Sequence, residues 1–213
     1  MGYTGRVGAR FLDDEARSAF KRAIESVENA SAVEVVVAMR RRSGTYHHAN
    51  AAVGLVAGFV ALAAMLYSSH EFQLSSILVD PFVVAVLAAF AVEILPRVKR
   101  RLTRPAIRHR NVERAARATF VERGIHNTTG RSGVLVFVSW LEHEIVLVAD
   151  TGLLGALAPD VIPRAETELT AAMWRGGVEV ARVLEALAAT VGRAMPHRDD
   201  DVNELPDAID EEK

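Results

Sequence analysis

Glu34, Arg131 and Asp150 are polar residues that stand in or beside otherwise apolar runs of this 213-residue chain, and their types allow two kinds of chemistry. An arginine between two carboxylates satisfies all three groups as a structural ion-pair network. Alternatively, Asp150 with Glu34 and the backbone carbonyls of Thr151 to Leu153 offers oxygens to calcium, a hard cation that takes several of them. Two carboxylates are few for tight binding, and Arg131 in the same place repels a cation. A hydrolytic centre needs a nucleophile or a metal pair alongside; Thr128, Thr129 and Ser132 are the nearby hydroxyls and His126 the nearby imidazole. The sequence holds no Gly-rich phosphate loop, no His-Glu-x-x-His pair and no nucleophile elbow. Zero cysteines exclude disulfides, thiolate nucleophiles and Cys-based metal sites.

Residues so far apart need a sheet to bring them together. Leu12 to Val27 places Leu12, Ala16, Ala19, Phe20, Ala23, Ile24 and Val27 at helical spacing, with Asp13 and Asp14 near the start. Val33 to Met39 is a β-branched run of buried-strand character. Arg108 to Arg123 reads as a second helix with Gly124 as its stop. Val134 to Ser139 and Glu144 to Ala149 read as two further buried strands joined by the turn around Leu141-Glu142-His143. Helices over Pro159 to Trp174 and Gly177 to Met195 complete the order. Strand, helical crossover and strand make strands one and two parallel, and the tight turn makes strand three antiparallel. That topology gathers Ser31 to Glu34, Thr128 to Gly133 and Asp150 at one end of the sheet.

The crossover contains something else. Ala49 to Tyr67 and Ile77 to Leu95 are apolar runs that approach the ~20 residues needed to span a bilayer. Arg40-Arg41-Arg42 precedes the first, and Arg97, Lys99, Arg100, Arg101 and Arg104 follow the second, whereas Ser68 to Ser76 carries no Lys or Arg. The bias of positive charge toward the cytoplasm then predicts a transmembrane hairpin with both chain halves inside the cell. Gly54, Ala57, Gly58, Ala61 and Ala64 either form a close-packing face or fill lipid-facing positions. Asp80-Pro81 reads as an N-cap and first helical position, and Glu93 either pairs with Arg97 one turn later or serves a proton or ion relay. His47-His48 is either a pH-sensitive interfacial pair or two inert exposed histidines. Trp140 and Trp174 serve as packing anchors.

The expected division is 1–44 and 102–195 for the two parts of one domain, 45–101 for the hairpin, and 196–213 for an acidic, solvated and disordered tail containing Asp199-Asp200-Asp201. A net charge of -2, with basic residues beside the hairpin and acidic ones in the tail, argues against nucleic acid and for a membrane surface as partner. No continuous apolar core follows Met1 to Arg10, so no secretory signal is expected there.

Four segments carry a family resemblance: Ser31 to Val37 after an amphipathic helix, Arg131 to Ser139, Glu142 to Leu153, and the closing helix Gly177 to Met195. With them the chain resembles the TPM domain proteins, named for a thylakoid lumen protein, a photosystem II repair factor and a worm receptor modulator. It looks like a bacterial subgroup with a membrane hairpin inserted after strand one. The resemblance implies an α/β/α sandwich with a small mixed sheet, and accessory roles in maintaining membrane complexes. It also implies calcium binding in some members and phosphatase activity in others. The expectation is an inner-membrane accessory protein that binds or stabilises another membrane component without catalysis, requiring no cofactor. The absence of an export signal and a C-terminal anchor departs from the better-known members.

Overall fold

A computed structural model describes residues 11–197, 204–205 and 209–211, apart from the side chains at positions 47, 49, 93, 96, 97 and 99. It forms two compact units, Met1–Ser43 with His109–Lys213, and Gly44–Arg108. The expectations for Met1 to Arg10, Asp199-Asp200-Asp201, the His47 side chain and the Glu93–Arg97 pair lie outside the described residues.

The first unit is mixed α/β. Helix α1, Asp14–Ala30, begins where the Asp13 carboxylate accepts the Ala16 N–H at 2.9 Å, and it buries Ala16, Ala19, Phe20, Ala23, Ile24 and Val27 along one stripe. Each large apolar side chain buried this way contributes about 1.5–3 kcal/mol. Strand β1 covers Val35–Arg40, so Val33 and Glu34 precede the strand they were expected to open. Strands β2, Val134–Ser139, and β3, Glu144–Ala149, keep their expected limits. β1 pairs parallel with β2, Val35 opposite Val134, and β2 pairs antiparallel with β3, Val134 opposite Ala149.

Both faces of the sheet are covered, which is why β2 is buried along its whole length instead of alternating. On one face Val35, Val37, Val136, Val138, Ile145 and Leu147 share a core with α1 and with the helices after β3. On the other, Val36, Ala38, Leu135, Phe137 and Val146 meet Val112, Ala116 and Phe120. Those last three belong to a helix that runs Pro105–Glu122 and stops near Gly124, whose left-handed φ of 66° suits a residue without a Cβ.

The hairpin unit supplies the intervening helices: α2 is His47–Tyr67, α3 is Leu74–Ile94 and α4 is Pro96–Leu102, so that Pro105–Glu122 is α5. α3 starts two turns earlier than the Asp80-Pro81 reading predicted: Gln73 is the N-cap and Pro81 lies inside the helix. The preceding apolar residues Leu74, Ile77, Leu78 and Val79 extend the helix, and local capping propensity at Asp80 loses to that continuity. α2 and α3 pack antiparallel through the small residues. A Cβ on Gly54 would lie 2.7 Å from the Ala85 carbonyl oxygen, and one on Gly58 2.9 Å from that of Pro81. The stretches Asn50–Tyr67 and Leu74–Val92 are long and apolar enough to cross a membrane, and only 11% of each is buried.

After β3 come α6, Thr151–Ala156, α7, Val161–Ala172, α8, Gly177–Ala186, and α9, Ala188–Ala194. The single closing helix expected over Gly177 to Met195 is therefore two, meeting at Leu187. The acidic tail also departs from expectation. Asp210–Glu211 forms β4, parallel to β1 and completing the order β3-β2-β1-β4. The other edge is covered by side chains: Thr170 Oγ1 accepts the Ile145 N–H at 3.0 Å and Glu166 Oε1 accepts that of Leu147 at 2.8 Å. α7 thus satisfies the edge donors that would otherwise invite a strand.

Candidate functional site

The end of the sheet where β1 and β2 begin and β3 ends is assembled by loop 128–133. The Thr128 hydroxyl oxygen accepts the N–H groups of Ser132 and Gly133 at 3.0 and 3.2 Å, which winds the loop into a tight turn. Arg131 takes a left-handed φ of 50° in that turn. Its carbonyl accepts the Leu153 N–H at 3.2 Å, and Gly152 passes so close that a Cβ there would lie 2.3 Å from the Gly130 oxygen. Loop and β3 exit are thereby locked together.

Asp150 is buried at this junction and caps α6: Oδ1 accepts the Thr151 N–H at 2.6 Å and the Thr151 hydroxyl at 3.2 Å. The Asp-Thr-Gly sequence is helix-start chemistry. Among the described residues Oδ2 has no hydrogen-bond partner, and the Arg131 guanidinium lies 3.7 Å away while Nη1 also donates to the His126 carbonyl at 3.1 Å. Arg131 and Asp150 form an ion pair, one side of the three-residue network that was expected. Glu34 turns to other work. Its two carboxylate oxygens accept the N–H groups of Glu204 and Leu205, each at 3.3 Å.

Of the hydroxyls named for hydrolysis, that of Thr128 is engaged in structure. Thr128 is the turn's acceptor, and the Thr129 N–H donates to the Glu204 carboxylate at 3.0 Å. His126 offers its carbonyl to Arg131, and its ring faces that of Phe120 at 6.4 Å between centroids. Against calcium, Asp150 Oδ2 is a real orphan oxygen, but it supplies one ligand beside a guanidinium where the ion takes six to eight oxygens. Among the described residues no three His, Asp or Glu side chains group to hold a metal. Among the described residues the side-chain donors at this junction fall short of what calcium takes.

At the opposite end of the sheet lies a cluster that sequence reasoning passed over. Ser139, at the end of β2, donates its hydroxyl to Glu142 Oε2 at 2.5 Å, and its oxygen stands 2.5 Å from the Ser43 hydroxyl. Glu142 Oε1 accepts the Ser43 N–H at 3.1 Å, and Glu142 and Ser139 are both buried. The signal was a serine closing an apolar strand three residues before a glutamate, which is weak without the fold. Beside it His143, at a φ of 57°, lies against Trp174 at 3.7 Å between ring centroids, and Trp140 packs on Phe11 at 5.0 Å. Trp140 is a packing residue here, whereas Trp174 is 69% exposed.

A third group, also missed, joins α5 to β3. His109 hydrogen-bonds Glu144, and that bond, helped by the charges of Glu144, Glu113 and Glu166, holds its imidazole above the usual range against the opposing effect of burial. Burial raises Glu166, partly offset by the hydrogen bond it receives from Leu147.

No family model and no curated protein matches the chain. Among solved structures, the NMR structure of BA42 protein from the psychrophilic bacterium Bizionia argentinensis is similar in fold, with a TM-score of 0.57 over 95% of this chain and 96% of that one at 16% identity.

Proposed function

We propose that the chain is a two-span membrane protein whose α/β domain, a sandwich of TPM type, binds or stabilises another component of the same membrane without catalysis. The observation that carries the reading is the exposure of α2 and α3. A core helix of a water-soluble protein is mostly buried, whereas these apolar stretches are 11% buried and present Leu55, Phe59, Phe82, Leu87 and Phe90 to their surroundings. An apolar surface of that extent belongs in hydrocarbon or against other membrane helices. The arginines on both flanks and their absence from 68–76 orient the α/β domain toward the cytoplasm of a bacterial inner membrane.

Because the chain has no cysteine, topology is directly testable with single-cysteine variants. Glu71→Cys should react with an impermeant maleimide added to intact spheroplasts and Ser18→Cys only after lysis; the reverse pattern overturns the orientation. Carbonate-resistant membrane association tests the spans themselves. A pull-down of the tagged full chain from solubilised membranes that returns no protein above background would overturn partner binding. The Thr128 hydroxyl oxygen is taken up by two backbone N–H groups, which weighs against it as a hydrolytic nucleophile. Calcium titration by calorimetry, with Asp150→Ala as control, tests the remaining reading; heat lost in that variant would restore it.

A further inference from the structure

The C-terminal segment is held in a manner unlike a solvated tail. Its backbone pairs with β1, Ala38 opposite Asp210 and Met39 opposite Glu211. Three arginines from three different elements converge on its two carboxylates. Arg40 of β1 reaches Asp210 Oδ2 at 2.7 Å, Arg123, just beyond α5, reaches the same oxygen at 2.5 Å, and Arg17 of α1 spans both oxygens of Glu211 at 2.9 and 2.7 Å. Two apolar residues four apart straddle the sheet edge, Ile209 packed against the core shared with α1 and Leu205 against the core shared with α5. Glu34 receives the two N–H groups at 204 and 205, and Glu204 receives that of Thr129.

We propose that the outer edge of β1 is a docking groove for an extended acidic segment of a partner protein. The chain's own residues 204–205 and 209–211 fill this groove, and the partner displaces them. Backbone pairing to β1 supplies affinity, and Arg17, Arg40 and Arg123 with the two apolar seats supply specificity, the division of labour seen whenever a peptide adds a strand to a sheet edge. The groove suits a polypeptide better than a lipid headgroup, because the contacts include main-chain bonds in register and a separate seat on each face of the sheet.

The grip is also exchangeable. Among the described residues β4 pairs with two of the six residues of β1, so a partner strand that runs along all six gains ladder bonds that the tail does not make. The Arg17–Glu211 pair is over a third exposed on both sides and is screened by salt. Tethering raises the tail's local concentration enough to keep such a weak segment seated until a stronger one arrives. This deepens the partner-binding reading by naming where the partner sits, and it stands on the tail's own contacts, so its failure leaves the membrane pull-down to be judged separately.

The test uses the full chain in nanodiscs of zwitterionic lipid and a fluorescent peptide with the sequence of residues 203–213, read by anisotropy. The wild-type chain should bind the peptide weakly, and Asp210→Lys with Glu211→Lys, which ejects the tail, should bind it about tenfold more tightly. Adding Arg123→Glu to that variant should abolish the gain, and a scrambled peptide of equal charge should bind at least about tenfold more weakly. Equal affinity for wild type and the tail-ejected variant, or for native and scrambled peptides, overturns the proposal. A tail-ejected variant that gains affinity only for vesicles of anionic lipid also overturns it, since the arginines would then serve a membrane surface. Unchanged melting temperatures of the variants exclude misfolding as the cause.

Discussion

The Ser139 hydroxyl donates to Glu142 at 2.5 Å in a place where neither side chain meets water. The same carboxylate accepts the Ser43 N–H, so one buried group holds the end of β2 to the segment that leaves β1. Glu142→Ala removes the acceptor and strands a buried hydroxyl and an amide, at an expected cost of about 2–3 kcal/mol. Glu142→Gln keeps an acceptor and should cost less than half of that. Thermal unfolding in detergent reads both, and a loss below about 0.5 kcal/mol for the alanine variant would show that water replaces the carboxylate without penalty.

Two glycines of α6 separate steric need from helix propensity. A Cβ at Gly152 meets the Gly130 and Arg131 carbonyl oxygens at 2.3 and 2.7 Å, both backbone atoms that move only with the loop, whereas one at Gly155 meets nothing within 4 Å. Gly152→Ala should destabilise the domain by about 1–3 kcal/mol, and Gly155→Ala should stabilise it by up to about 1 kcal/mol. Equal melting temperatures for the two variants would mean that loop 128–133 yields freely.

The contrast between such positions explains what could be read from the chain without coordinates. Val134–Ser139 and Glu144–Ala149 were legible because strands covered on both faces are written as continuous apolar runs between turn residues. α1 was legible because its buried stripe repeats at helical spacing. Glu34 stands out as a polar residue in an apolar context, yet its partners include backbone amides of the tail that no local pattern announces. β4 was illegible for the same reason: two residues form it, and arginines from α1, β1 and the end of α5 hold it in place. At Asp80-Pro81, good capping chemistry lost to the apolar residues before it, because these continue the helix and each adds a backbone bond.

The His109–Glu144 pair makes stability fall as pH rises. The folded imidazole titrates above its ordinary value of 6.5, chiefly through the hydrogen bond to Glu144, so its contribution is complete below that value and disappears as pH climbs through the folded pKa. Glu166 acts in the same direction in a more acidic window. Burial raises it above 4.5, the folded state holds its proton more firmly than the unfolded chain does, and stability is lost as pH rises from there through the folded value. His109→Asn should flatten the melting-temperature profile above about pH 6.5, and Glu166→Gln should flatten it above about pH 4.5. With the His109 side chain more than half exposed, the first effect should stay within about 1 kcal/mol. A wild-type profile that rises through either window contradicts the assignment.

Gly58 tests whether the hairpin is a packed unit or two helices that share a loop. Its missing side chain lets α2 approach the Pro81 carbonyl, and an added Cβ would stand 2.9 Å from that oxygen and 3.0 Å from the Ala85 methyl. Neither neighbour can turn away, since one is backbone and the other has no rotamer. Gly58→Ile must therefore push the helices apart, and the close packing lost there is not regained elsewhere along the pair. We expect a cost of about 1–3 kcal/mol in the hairpin, seen as an earlier loss of helical signal on heating in micelles, with Leu55→Ile on an exposed face as the neutral control. Should both variants melt with the wild type, the Gly54–Gly58 face contributes nothing to association, and the turn at 68–73 alone would keep the two spans side by side.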